Sequence, residues 1–331
     1  MNGSNFSSAW NLEVHEKLPA AAYYASGCIY IMFLLIATAG NSVAIYVFIC
    51  SKKLRSANHY LVFALCFGDL LMASVGISML IITSFTTYWI LGDMACTAYG
   101  TLMTFLGLSQ ITLLGIIAFS RYKCVVHNHR TTPLSAKIGV AVCYSFSMCL
   151  AAAPNFGWSN YVEEPIGTSC GPNWKGIESR DISFNITLFC TCFLLPLFVI
   201  LFCYTMVYRK IMNTNRVNKS REIYVSITIF LMIVTFIGAW TPYACMALYI
   251  SITKSNQINL VCVAIALILA KSVPIWNPYI YFLRDKQFNS ECQKLIPFLT
   301  RVPFWRTRPR NRDEVLQLQR TVVRDCATTN V

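Results

Sequence analysis

Seven apolar stretches, each long enough to cross a lipid bilayer, constrain this chain more than any other feature. They run over residues 24–50, 58–85, 96–122, 136–158, 183–208, 224–250 and 258–283. A hydrocarbon core ~30 Å thick needs roughly 20 apolar residues in helix, and longer stretches are accommodated by tilt. In lipid every backbone N–H and C=O must be satisfied internally, which leaves helices or closed barrels. The stretches lack the alternation of apolar and polar residues that a barrel strand needs, so they read as helices. Composition agrees: 12% of residues are charged and the mean hydropathy is +0.53, whereas a soluble domain carries about 25% charged residues. The expected fold class is therefore an all-α membrane protein, a seven-transmembrane-helix bundle followed by a short amphipathic cytoplasmic helix 8 over residues 285–299. That helix is expected to turn Phe288, Cys292, Leu295 and Ile296 toward lipid, with Cys292 either palmitoylated or an unmodified apolar cysteine.

A net charge of +13 could suit nucleic acid, but its placement argues otherwise. Lys52, Lys53 and Arg55 follow the first span. Arg121, Lys123, Arg130 and Lys137 lie between the third and fourth, and Arg209, Lys210, Arg216, Lys219 and Arg221 between the fifth and sixth. Ten more follow the seventh span, from Arg284 to Arg324, while the other side holds only Lys17, Lys175, Arg180 and Lys254. Positive charge is retained in the cytoplasm. A multi-pass protein of the plasma membrane is expected, N-terminus extracellular and C-terminus cytoplasmic, in contact with lipid and not with nucleic acid. Residues 1–20 lack the apolar core of a cleavable signal peptide.

Three parts are expected. Residues 1–23 form an extracellular arm with glycosylation sequons at Asn2 and Asn5. Residues 24–299 form the seven-helix domain with helix 8. Residues 300–331 form a flexible basic tail, whose last residue, Val331, offers a C-terminus to a PDZ-type domain by strand addition. Most of the 15 cysteines lie within spans, where they act as small apolar residues. Cys96 and Cys170 fall on the oxidising side and are expected to be bridged. That bridge would draw the loop of residues 159–180, with Glu163 and Glu164, over the mouth of the bundle.

Inside the spans a few polar residues stand out. Lys271 lies in the seventh, in Ala270-Lys271-Ser272-Val273-Pro274-Ile275-Trp276-Asn277-Pro278-Tyr279-Ile280-Tyr281. A bare ammonium at that depth costs at least ~2.5–3.5 kcal/mol, so it is neutralised or used; an uncharged lysine amine condenses with an aldehyde. Asp69 is the one acid within the seven spans, a functional group or a polar knot with Asn41 and Asn277. Arg121 ends the third span, as a snorkelling side chain or as a functional one. Pro196 and Pro242 interrupt the fifth and sixth spans and are candidate hinges. There is no phosphate loop, no zinc spacing and no supported nucleophile triad, so no enzyme is expected.

Asn41, Asp69, Cys96, Arg121-Tyr122, Pro196, Tyr204, Trp240 with Pro242, and Asn277-Pro278-Tyr279-Ile280-Tyr281 together resemble the rhodopsin-like class of G-protein-coupled receptors, over residues 24–299. Lys271, placed before Asn277, resembles the animal opsins within that class, as do Asp285-Lys286-Gln287-Phe288 and Gly157-Trp158-Ser159. The resemblance implies retinal, 11-cis or all-trans, bound covalently as a Schiff base on Lys271. By position, the pocket would use Tyr99, Thr104, Gly107, Trp174, Phe189, Phe193, Trp240 and Tyr243. It implies a heterotrimeric G-protein partner, with arrestin and a receptor kinase, and an activation set of Arg121, Tyr122, Tyr204, Glu222, Asn277, Pro278, Tyr281, Lys286 and Gln287.

Two departures point to a non-visual or invertebrate type rather than a vertebrate visual pigment. Tyr99 stands where vertebrate visual opsins carry an acidic counterion; Glu164 is then the first candidate, followed by Glu163, a chloride ion, or an unprotonated ultraviolet pigment. Ser120 stands where an acid usually precedes the arginine, so the restraint on Arg121 falls to Glu222 and some dark activity is expected. A light-activated receptor is the first reading. A retinal photoisomerase and a receptor for a diffusible ligand are the alternatives.

Overall fold

The structure, a computed structural model, describes residues 17–213, 219–254 and 258–296. The sequons at Asn2 and Asn5 and the tail ending at Val331 lie outside the described residues. Eight helices are described: α1 (Ala20–Cys50), α2 (Ala57–Thr86), α3 (Gly92–Val126), α4 (Pro133–Phe156), α5 (Ser179–Met212), α6 (Lys219–Thr253), α7 (Leu260–Arg284) and α8 (Lys286–Leu295). The first seven are long and apolar enough to cross a membrane, and the protein is a multi-pass, all-α bundle. Several begin before the apolar run does: α3 starts at Gly92 and α5 at Ser179. Backbone hydrogen bonding carries each helix past the hydrocarbon boundary into polar residues.

The bundle is apolar outside and selectively polar inside, as a lipid solvent demands. Leu35, Ile49 and Phe198 are exposed, whereas Asn41, Asp69, Gln110, Lys271 and Asn277 are all buried. Proline sets the local irregularities. Pro278 has no N–H, so the carbonyl of Pro274 loses its intrahelical partner. Asn41 Nδ2 donates to that oxygen at 2.8 Å and ties α1 to α7. A Cβ on Gly40 would lie 3.0 Å from the Pro278 ring, so only glycine allows this approach. Nearly two turns before Pro278, α7 breaks at Ser272, directly after Lys271. In α5 a wider turn over Cys190–Leu194 precedes Pro196.

The loop between α4 and α5 forms an antiparallel ribbon, β1 (Tyr161–Glu163) with β2 (Cys170–Pro172), Glu163 opposite Cys170. The expected disulfide is present, Cys96 to Cys170 at 2.07 Å. The ribbon is fastened over the mouth by three more contacts. Thr83 Oγ1 donates to Thr168 O (2.7 Å), Tyr161 OH to Ala151 O (2.7 Å) and Tyr23 OH to Ile166 O (3.1 Å).

Helix α8 corrects one expectation. Its apolar face was expected to meet lipid, but Phe288 and Cys292 are fully buried against the bundle, with Phe288 packed on Phe48 and Phe282. A palmitoyl group on Cys292 would have no room. Asp285 caps this helix, its Oδ1 accepting from Phe288 N–H at 2.8 Å, and lies 3.5 Å from His59 Nε2. Burial alone would raise the Asp285 carboxyl, but hydrogen bonds from His59 and the backbone of Phe288 and Gln287, with the His59 charge, hold it below its ordinary 3.8. A depressed carboxyl stabilises the fold above its ordinary value and loses that contribution as pH falls through the folded one. Asp285→Ala is therefore expected to cost ~1 kcal/mol at neutral pH, read as faster amide exchange in α8 and a lower melting temperature. Variant and wild type should converge as pH drops below 3.8.

Candidate functional site

A cavity of about 420 Å³ lies between α3, α5, α6 and α7, beneath the ribbon. Thr104, Gly107, Trp174, Phe189, Phe193, Trp240 and Tyr243, all named from the sequence, line it together with Glu164 and Lys271. Met103, Leu108, Ile111, Phe236, Leu267 and Ala270 complete the walls; the sequence carried no signal to separate these from ordinary core. Phe189 and Phe193, one helical turn apart, stack with centroids 5.5 Å apart. Trp240 is held between Phe236 (6.0 Å, stacked) and Tyr243 (5.8 Å, edge-on). A Cβ on Gly107 would stand 3.2 Å from the Trp240 ring, so glycine makes room for the indole. Between α5 and α6 the cavity reaches Ile186 and Ile252, whose side chains are exposed on the bundle's outer surface.

Glu164 is 7% exposed, and its acceptors are occupied. Tyr243 OH donates to Oε1 at 2.7 Å and Ser169 Oγ to Oε2. Trp174 Nε1 donates in turn to Tyr243 OH at 3.2 Å. Ser169 was not foreseen. Glu164 N–H donates to Ser169 O at 2.8 Å, and this turn brings the two side chains together; no spacing rule announces it. Lys271 makes no hydrogen bond among the described residues, and it shares the cavity lining with Glu164. Tyr99 departs from its expected place: it stands behind the lysine rather than on the cavity wall, with Lys271 Nζ 5.6 Å from its ring centroid. Glu163 does not line the cavity; its side chain is exposed.

Deeper in the bundle, Asp69 is fully buried. Asn277 Nδ2 donates to its Oδ2 at 2.8 Å and Gln110 Nε2 to its Oδ1. The expected knot between α1, α2 and α7 is thus two linked contacts, Asn41 on the Pro274 carbonyl and Asn277 on Asp69, with Gln110 of α3 as an added member. A lone amide in an apolar span was the available signal for Gln110.

At the end remote from the disulfide, Arg121 is buried. Its Nε and the neighbouring Tyr204 OH have no hydrogen-bond partner among the described residues. Ser120 Oγ lies 2.8 Å from Thr131 Oγ1. Tyr122 OH lies 2.9 Å from His127 Nε2, and Tyr281 packs on Phe48 and Phe288. Gln287 Nε2 donates to Lys53 O at 3.0 Å. The side chains of Glu222 and Lys286 lie outside the described residues.

A family model described as "7 transmembrane receptor (rhodopsin family)" matches residues 40–281. The chain belongs to this family. It is 32% identical over 259 residues to pinopsin of Gallus gallus, covering 76% of this chain and 74% of that one, which places it among the animal opsins. It is 30% identical over 255 residues to pineal opsin of Petromyzon marinus, covering 74% of this chain and 57% of the other; the match thus spans little more than half of that relative. Squid rhodopsin shares the fold, with a TM-score of 0.80 over 87% of this chain and 89% of that one at 23% identity. The pineal opsin and pinopsin accord with the non-visual type expected, and an opsin of this family is a receptor rather than an enzyme.

Proposed function

We propose that this opsin is a light-activated receptor that holds retinal covalently on Lys271 Nζ and couples to a heterotrimeric G-protein. One observation carries the reading: an aromatic-walled cavity of about 420 Å³ that contains a single buried amine. Its volume falls within the ~300–1,000 Å³ usual for small-molecule sites, and the walls suit a flat polyene. Thr104, Gly107, Phe189, Phe193 and Trp240 would hold the chain and ring. When bound, retinal supplies light absorption and a change of isomer.

The rest is work for the protein's own residues. Glu164, held by Ser169 and Tyr243, supplies negative charge opposite Lys271. Trp240 meets the cavity contents and passes their change of shape to α6, where Pro242 weakens the ladder and allows a hinge. In this reading the disulfide end is extracellular and the Arg121 end cytoplasmic. When α6 swings, Arg121, Tyr122, Tyr204 and Tyr281 hold the open packing, while Asn277 and Pro278 relay through α7 to Lys286 and Gln287. The equilibrium between two packings shifts by the difference in fit of two isomers. Ser120 provides no charge for Arg121, so measurable activity in the dark is expected. Arrestin and a receptor kinase would act on the same face.

The test is a spectrum of purified protein with 11-cis and, separately, with all-trans retinal, before and after light, with nucleotide exchange on a G-protein and chromophore extraction. A visible or near-ultraviolet band, light-dependent exchange and all-trans product support the receptor. Net production of 11-cis retinal in light would make it a photoisomerase. No band with either isomer would leave a receptor for some other ligand.

A further inference from the structure

We propose that Thr131 is a phosphorylation site whose phosphate supplies the anion that α3 lacks beside Arg121, holding the receptor closed in the dark. The inference rests on the proposed function and on its orientation, which puts this end of the bundle in the cytoplasm.

Three observations carry it. Arg121 is 8% exposed, and its Nε has no hydrogen-bond partner among the described residues. No carboxylate among the described residues is within ion-pair distance of it. A buried cation left in that state is costly, and an anion nearby relieves the cost. Second, Ser120, the residue before it, is also buried and spends its hydroxyl on Thr131 Oγ1 at 2.8 Å. A group attached to Thr131 Oγ1 therefore starts against Ser120, the residue next to Arg121 on α3. Third, Thr131 is only partly buried and lies in an irregular segment in which His127, Asn128, His129, Arg130 and Thr132 are exposed. Such a segment can extend into the groove of a protein kinase. Neighbouring Thr132 is already engaged, its Oγ1 accepting from Ser135 N–H at 3.1 Å to cap α4.

In the transfer, Thr131 Oγ1 attacks the γ-phosphorus of ATP. The Oγ1–P bond forms and the bond from that phosphorus to the bridging oxygen breaks. ADP leaves, and the hydroxyl proton passes to the kinase's base. The product adds roughly −1.5 to −2 charges and three acceptor oxygens, enough for one to three charge-assisted hydrogen bonds to an arginine. Ser120 Oγ–H becomes a donor to the same group. Arg121 is then restrained on α3 and withheld from the open packing.

The experiment compares Thr131→Glu with its neutral isostere Thr131→Gln for dark nucleotide exchange on a G-protein, in retinal-loaded and retinal-free receptor. Glutamate is expected to lower dark exchange at least about fivefold relative to glutamine, with the dark spectrum unchanged. Ser120→Asp should reproduce the effect, and combining it with Thr131→Glu should add little, because both serve one guanidinium. Mass spectrometry of receptor from dark-kept and illuminated cells should find phosphate on Thr131. Equal exchange in the glutamate and glutamine variants overturns the proposal, as does phosphate absent from Thr131 or confined to Thr132. The retinal-free arm reads the Arg121 end by itself, so failure to form a pigment counts against the proposed function and silence of Thr131→Glu against this inference.

Discussion

Lys271→Ala is expected to abolish the absorption band that the protein develops with 11-cis retinal, leaving only the spectrum of the free aldehyde. The lysine is the one amine in the cavity lining, and a covalent link to an aldehyde needs a primary amine. The loss should be complete rather than partial, since the described cavity has no second nucleophilic nitrogen. Lys271→Arg guards against misfolding as the explanation. It retains a cationic side chain, but its guanidinium does not condense, so it too should lack the band while keeping wild-type thermal stability to within ~1–2 kcal/mol. Borohydride treatment of the loaded wild type should fix retinal irreversibly on the α7 peptide containing Lys271. A band that survives in both variants, or label on another peptide, would end the photoreceptor account.

Glu164→Gln is expected to move the dark band from the visible into the near-ultraviolet at neutral pH. The amide oxygen can still accept from one of the two hydroxyls, Tyr243 OH or Ser169 Oγ, and the NH2 that replaces the other oxygen can donate to the second hydroxyl once it rotates, so the ribbon keeps its contacts while the charge is removed. Glu164 is the only carboxylate among the described residues that line the cavity, and a nearby opposite charge favours a buried cation by ~1–3 pKa units. Its removal should lower the charged fraction of the link by roughly ten- to a thousandfold at a pH above the lowered pKa. Acid, or a high chloride concentration, should restore the visible band in the variant by supplying the proton or the anion. Tyr243→Phe and Ser169→Ala, which loosen Glu164 without discharging it, should produce smaller shifts. A visible band indifferent to Glu164→Gln and to chloride would rule the carboxylate out as counterion.

Part of this was legible before any coordinates. A bilayer accepts only helices of a certain length, so hydropathy alone announced seven spans, and the depth of Lys271 in the last marked it as a residue in use. The aromatic and small residues of the pocket were found through resemblance, because their spacing in one chain does not distinguish them from packing. Other features were illegible for definite reasons. The apolar stripe of α8 declares that something covers it, but lipid and protein are equally apolar; only the position of Phe48 and Phe282 shows that protein does. Tyr99 was placed on the pocket wall by position, yet its ring faces the amine from outside the cavity lining, a placement that depends on how α3 and α7 pack.

What this sequence determined by itself is the number of helices, the amine in the seventh and the prolines that free carbonyls, because lipid enforces length and backbone satisfaction residue by residue. What only the tertiary structure decided is which polar atoms meet: Ser169 with Glu164, Gln110 with Asp69, Thr131 with Ser120. Those pairings join different helices or the two sides of a loop turn. Their distances depend on how helices lean and loops close, and no local pattern in the chain encodes that.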